Sequence, residues 1–203
     1  MDKNIFRDVT YGMYVVTTKT AGCIINTMTQ ITSENPIITI SLNKKNYTNE
    51  MIKEERNFAV SIISEKTKPN LISVFGFTSS KDKDKFENFN YEEVDGIKVL
   101  KEETTGYLQC EVVDIVDCDT HEIFIAKVIN TKKLNDNVPM TYKYYHEVVK
   151  GKAPKTAPTY IEEKVEDDVY VCDICGYTHK GELPDDFICP ICGMDKSHMK
   201  KKN

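Results

Sequence analysis

No stretch of this sequence stays apolar for the roughly 20 residues that a membrane-crossing helix needs, and Met1-Asp-Lys-Asn-Ile-Phe-Arg-Asp8 lacks the apolar core of a secretory signal. The expectation is a cytoplasmic protein without membrane contact. Positive charge is in deficit, with 27 Lys and Arg against 32 Asp and Glu and a net charge of -5. That balance argues against nucleic-acid binding, because a phosphate-binding surface needs clustered basic charge. The nine glycines form neither G-x-G nor G-x-x-x-x-G-K-[ST], which removes the dinucleotide fingerprint and the P-loop. Tryptophan is absent, and the seven cysteines are an odd number, which disfavours a fully paired disulfide framework.

What is present fits a globular chain of 203 residues, 40% hydrophobic and 29% charged, long enough for a domain of about 150 residues with a small appendage. The runs Tyr11 to Thr18, Ile37 to Leu42, Phe58 to Ile63, Tyr107 to Val116 and Glu122 to Asn130 are rich in β-branched and aromatic residues and predict strands. Short helices are predicted over Tyr47 to Glu54, with Thr48 as N-cap, from Lys68-Pro69, and over Tyr144 to Lys150. Many strands with few helices predict a mostly β fold, an antiparallel barrel decorated by short helices. The Pro- and Lys-containing stretch that begins Gly151-Lys-Ala-Pro reads as an extended, solvated connector over residues 151–168. It divides a first domain, 1–150, from a tail, 169–203.

Four of the seven cysteines lie in that tail, as Cys172-Asp-Ile-Cys175-Gly176 and Cys189-Pro-Ile-Cys192-Gly193. Two C-x-x-C hairpins let each pair of thiolates converge on one ion, and four thiolates complete a tetrahedral site for zinc or iron. A glycine after each second cysteine tolerates the positive φ that turns backbone N–H groups toward sulfur. Spacing alone leaves the metal open between a structural zinc ribbon and an iron centre.

The tail resembles rubredoxin in Cys172 to Tyr177, in Leu183-Pro-Asp-Asp186, in the aromatic Phe187 and in Cys189-Pro-x-Cys-Gly193. Its inter-knuckle loop is short, as in rubrerythrins, and Phe187 stands where rubredoxins usually have Trp. The resemblance implies one iron held by Cys172, Cys175, Cys189 and Cys192, serving as a one-electron carrier.

The first 150 residues resemble the flavin-reductase-like FMN-binding split barrel. The match is carried by Tyr11-Gly-Met-Tyr-Val-Val-Thr-Thr18, Asn26-Thr-Met-Thr29 with Thr32-Ser33, Pro36 to Leu42, Asn46-Tyr-Thr48, Phe75-Gly76, Asp84-Lys-Phe86 and Thr120-His-Glu-Ile-Phe124. The resemblance implies an FMN whose ring edge meets Asn26, Thr27, Met28 and Thr29. Its phosphate would lie by Ser41, Asn43, Lys45, Asn46 and Thr48, where a strand end runs into a helix N-terminus. Thr32, Leu42, Tyr47, Lys85 and His121 complete the implied flavin surroundings, and no side chain is assigned as catalytic. By default, Thr and Asn between strands are turn residues, Lys45 and Lys85 are surface charges, and Cys23, Cys110 and Cys118 pack as small apolar groups.

The whole-chain arrangement is similar to that of the high-molecular-weight rubredoxins. It implies an oxidoreductase that passes electrons from NAD(P)H through FMN to the iron and on to a protein acceptor such as a flavodiiron oxygen or nitric oxide reductase, working as a homodimer. Two other readings stay open: a flavin reductase with a zinc-ribbon tail, and a non-enzymatic module whose zinc ribbon docks on another chain.

Overall fold

The structure is a computed structural model that describes residues 2, 5–6, 8–101, 104–155, 157–160 and 169–202. Its elements run β1 (Tyr14–Thr17), β2 (Gly22–Ile25), β3 (Met28–Gln30), β4 (Ile37–Asn43), α1 (Tyr47–Glu55), β5 (Asn57–Ile63) and α2 (Pro69–Phe77). They continue with β6 (Tyr91–Val94), β7 (Ile97–Leu100), β8 (Thr104–Cys118), β9 (His121–Lys133) and α3 (Tyr142–Glu147). The tail adds β10 (Val169–Cys172), β11 (Thr178–Lys180) and β12 (Met199–Lys201).

Seven strands form one antiparallel sheet in the order β2-β1-β5-β8-β9-β4-β3. The register shifts of β8 against β9, at Gln109/Cys110 and Val112/Asp114, bend the long hairpin so that the sheet curls into an open barrel. Alternation supplies the core. Along β4 the residues Ile38, Ile40 and Leu42 face inward while their neighbours are half-exposed, and with Phe58, Val60, Phe124 and Ala126 they fill the barrel. A second cluster, with Phe75, Phe86, Met13 and Tyr145, lies between the outside of the sheet and the helices.

Three local features differ from the sequence expectations. The N-cap of α1 is Asn46, not Thr48, because the Asn46 side chain accepts from the Thr48 N–H at 3.0 Å. Thr29, a turn residue by default, lies with Met28 and Gln30 in the strand β3, paired to β4 with Met28 opposite Ile40. The helix expected over Tyr144 to Lys150 starts earlier, at Tyr142 behind a Thr141 cap, and ends at Glu147.

The connector also differs. Its described part, 151–155 and 157–160, does not extend into solvent but lies along the barrel. Thr159 accepts from Asn26 Nδ2 at 3.0 Å and donates to the Tyr142 hydroxyl at 2.9 Å. Gly151 is buried beneath the Tyr145 ring, so close that a Cβ there would stand 1.9 Å from Cζ. Composition misled here because Pro, which breaks a helix or a strand, and Ala pack on an apolar surface as readily as they stay solvated. Residues 161–168 lie outside the described residues.

Candidate flavin and metal sites

The tail pairs β10 with β11 and β12, and this small sheet presents two knuckles to each other. Cys172, Cys175, Cys189 and Cys192 are buried, and their sulfurs all lie within 4.8 Å of one another. Cys172 Sγ is 3.5 Å from Cys192 Sγ, and Cys175 Sγ is 3.5 Å from Cys189 Sγ. A tetrahedral ion with metal–sulfur bonds of about 2.3 Å needs sulfurs about 3.8 Å apart, so the donor set fits one thiolate-bound ion.

The turns behave as the glycine positions predict. Gly176 and Gly193 have φ of 75° and 71°, and the Gly176 and Gly193 N–H groups return to the Cys172 and Cys189 carbonyls at 2.9 and 2.8 Å. The Cys175 thiol, then the backbone N–H groups of Cys192 and Ile191, hold the Cys189 thiol below its ordinary range. Donors already aimed at a sulfur are what a thiolate ligand needs. Ile191 and Met199 close the cage, flanked by Phe187 and Tyr177.

In the first domain a cavity opens where the ends of β2 and β4 meet α2, α3 and the connector. Of the residues expected around a flavin, Asn26, Ser41, Leu42, Asn43, Asn46 and His121 line it. Register explains part of this gathering, since Asn43 pairs with His121 across β4 and β9. Thr27 stands next to the cavity and donates to Asn26 Oδ1 at 3.1 Å, while buried Thr48 lies in the first turn of α1. The half-buried Tyr47 opens that helix and Lys45 is exposed just before it.

The structure does not bring the rest to the cavity wall. Met28 packs on the barrel core, Thr29 is exposed in β3, and Thr32 closes a turn by donating to Asn35 O and accepting from Ile37 N. Lys85 is 3% exposed, and its Nζ donates to the carbonyls of Gly22 at 2.8 Å and Phe75 at 3.3 Å. Burial holds its pKa down at about 8. It is a core cation that satisfies two carbonyls, and neither the surface reading nor the flavin reading of the sequence anticipates that.

Sequence reasoning missed much of the wall. Ile24, Ile72, Phe77, Tyr142 and Tyr145 supply its apolar and aromatic side, and Lys152, Ala153, Pro154, Ala157 and Pro158 bring the connector across it. The tyrosine-rich run Tyr142-Lys-Tyr-Tyr145 was the available signal. The mixture of an aromatic side, several amides, a lysine and the buried Tyr145 hydroxyl suits a flat heteroaromatic ring with a polar edge. Phe77 lines this cavity and also packs on the cysteine cluster, so cavity and cage share a wall.

Comparison with known proteins agrees with both halves. Residues 6–151 match the family described as "Flavin reductase like domain", and residues 170–200 match "Rubrerythrin, rubredoxin-like domain". The chain is 36% identical to the high molecular weight rubredoxin of Moorella thermoacetica, with 97% of each covered. It is 34% identical to the ferric-chelate reductase (NAD(P)H) of Archaeoglobus fulgidus, over 81% of this chain and 100% of that one. Among solved structures, the flavin reductase PheA2 gives a TM-score of 0.58 at 25% identity, over 70% of this chain and 93% of that one. The NADH:FAD oxidoreductase of Streptomyces globisporus gives 0.63 at 20% identity, over 68% and 85%, a likeness of fold alone. Among the described residues no helix is long and apolar enough to cross a membrane. The donor sets and the two family matches therefore converge on one assignment: this chain belongs to the flavin-reductase-like family, carries a rubredoxin-like tail for one iron, and is an electron-transfer oxidoreductase.

Proposed function

We propose that the chain passes electrons from NAD(P)H through FMN to the tail iron and on to a protein acceptor such as a flavodiiron oxygen or nitric oxide reductase. The observation that carries this reading is the shared wall: Phe77 borders the cavity on one side and the cysteine cluster on the other. Flavin, when bound, accepts a hydride's electron pair and releases electrons singly, which a four-thiolate iron requires.

In this reading residues 1–150 and 169–203 are two units joined by 151–168. Asn26 and Thr27 meet the ring edge. Ser41, Asn43 and Asn46, at the end of β4 and the start of α1, take the phosphate, where helix N–H groups and the dipole favour an anion. Phe77 and the connector keep water out of the space between the centres. Ile188 and Met194, exposed beside Cys189 and Cys192, offer the acceptor an apolar contact near the ligands. A cytoplasmic homodimer completes the proposal, supported by the exposed Val113, Val116 and Ile129 of the β8–β9 hairpin.

Stopped-flow mixing with NAD(P)H tests the route. Iron charge-transfer bands that bleach in the flavin-loaded chain and stay in a flavin-free preparation are the expected result. Bleaching at an undiminished rate without flavin overturns it.

A further inference from the structure

Tyr145 is enclosed on all sides by its neighbours. Its ring is 2% exposed, stacks on Tyr142 at 6.3 Å and 25°, and covers Gly151, where only a missing side chain leaves room. The neighbouring His146 Nδ1 pairs with the Gly151 carbonyl at 2.7 Å and so pins the chain that passes under the ring. Yet the buried Tyr145 hydroxyl has only the Lys152 backbone N–H facing its oxygen and no acceptor for its own proton, whereas the hydroxyl of Tyr142 accepts from Thr159. A buried donor left unpaired is costly, and a leucine or phenylalanine would fill the same space without that cost.

The orphan belongs to a residue that lines the cavity next to Phe77 and Lys152. We propose that Tyr145 is a ligand-binding residue of this cavity, its hydroxyl donating to a carbonyl oxygen on the edge of the flavin ring beside the wall shared with the cysteine cage. The inference rests on the reading of the cavity as the flavin site. A phenol ordinarily titrates near 10 and burial pushes this one up, so the group stays protonated and acts as a donor through the physiological range. The acceptor must be a neutral or anionic oxygen. A ring carbonyl meets that need, and its demand for a donor grows when the reduced ring gains negative charge.

The test is FMN titration of the full-length, flavin-free chain against its Tyr145→Phe variant, with the midpoint potential of the bound flavin measured in both. Removing one net hydrogen bond weakens FMN by about two- to tenfold and lowers the flavin potential, because the reduced ring loses more than the oxidised one. The ring itself is kept, so the iron bands persist and the flavin-free melting temperature does not fall. A purely structural role would leave the potential unmoved. Equal affinity and equal potential in the two proteins overturn the inference while leaving the cavity reading intact. A wild-type chain that binds no FMN overturns the cavity reading, and the inference falls with it.

Discussion

In the barrel, Phe58, Val60, Ile40 and Phe124 are closed off from water by one another, whereas among the described residues of the tail four of the seven buried side chains are the cysteines themselves. The barrel has enough apolar surface to fold around its own core. Among its described residues the tail adds only Val169, Ile191 and Met199, which is too little for a unit of about 35 residues, so its folding free energy must come largely from its ion. The lesson is that one chain can join two kinds of order, one sensitive to packing volume and the other to ligand count.

The largest expected effect breaks the comparison on the tail side. Cys189→Ala removes a ligand and a hydrogen-bonded sulfur, and should abolish iron binding and the dispersed amide signals of residues 169–202 while barrel signals stay in place. Metal analysis with two-dimensional NMR checks this, and a tail that keeps its dispersion without metal would refute it. The mirror change is Phe58→Ala in the barrel, where an emptied core position costs about 3–5 kcal/mol. Urea unfolding followed in the far ultraviolet should show that loss, with the iron bands persisting to higher urea than the barrel.

A third change sharpens the picture of the barrel through pH. The folded pKa of Lys85, about 8, lies below its ordinary 10.5, so between those values the unfolded chain binds the extra proton. Stability should therefore rise with pH through that window: burying the charge is costly below about pH 8, and the cost fades toward 10.5. The difference in unfolding free energy, wild type minus Lys85→Met, should grow by about 3 kcal/mol across it. A flat difference in paired urea titrations would mean that Lys85 is solvated.

The smallest effect concerns the boundary between the two regions. Thr159→Val removes the bonds to Asn26 and Tyr142 and should loosen the connector by about 1 kcal/mol, read as roughly fivefold faster proteolysis within 151–160. Unchanged cleavage would return the connector to the free tether that its composition suggested.

The parts legible in the sequence are those in which local pattern and final environment agree. β4 and β5 alternate or run apolar over seven residues, and the knuckles repeat their C-x-x-C-G spacing, so each announced itself. β2 and β3 did not, since four and three residues hold too little pattern, and their pairing is imposed by β1 and β4. The β6–β7 hairpin carried an unused signal in Asp95-Gly96, both at positive φ, a pair that favours the tight turn between strands. The cavity was half legible. Asn26, Asn43 and Asn46 stand near chain turns where polar residues mark themselves, but Tyr145, Phe77 and the connector reach the wall only through tertiary packing. Lys85 was illegible because nothing in Asp84-Lys-Phe86 reveals that two carbonyls will enclose it.

The strand order has a consequence for how the molecule is assembled. β4 lies against β9, with Ile37 opposite Lys127, so the sheet cannot close until most of the first domain exists, and long-range pairing of this kind is slow. The tail ladder joins Val169 to Lys180 and Tyr170 to Lys201, partners 11 and 31 residues apart against 90 for Ile37 and Lys127. Diluted from denaturant with iron present, the chain should order its tail first and its barrel later. On the ribosome the sequence of events is reversed, because β9 has emerged before Cys172 is made. Vectorial synthesis therefore delivers the cavity ready-built to a metal centre that is assembled beside it.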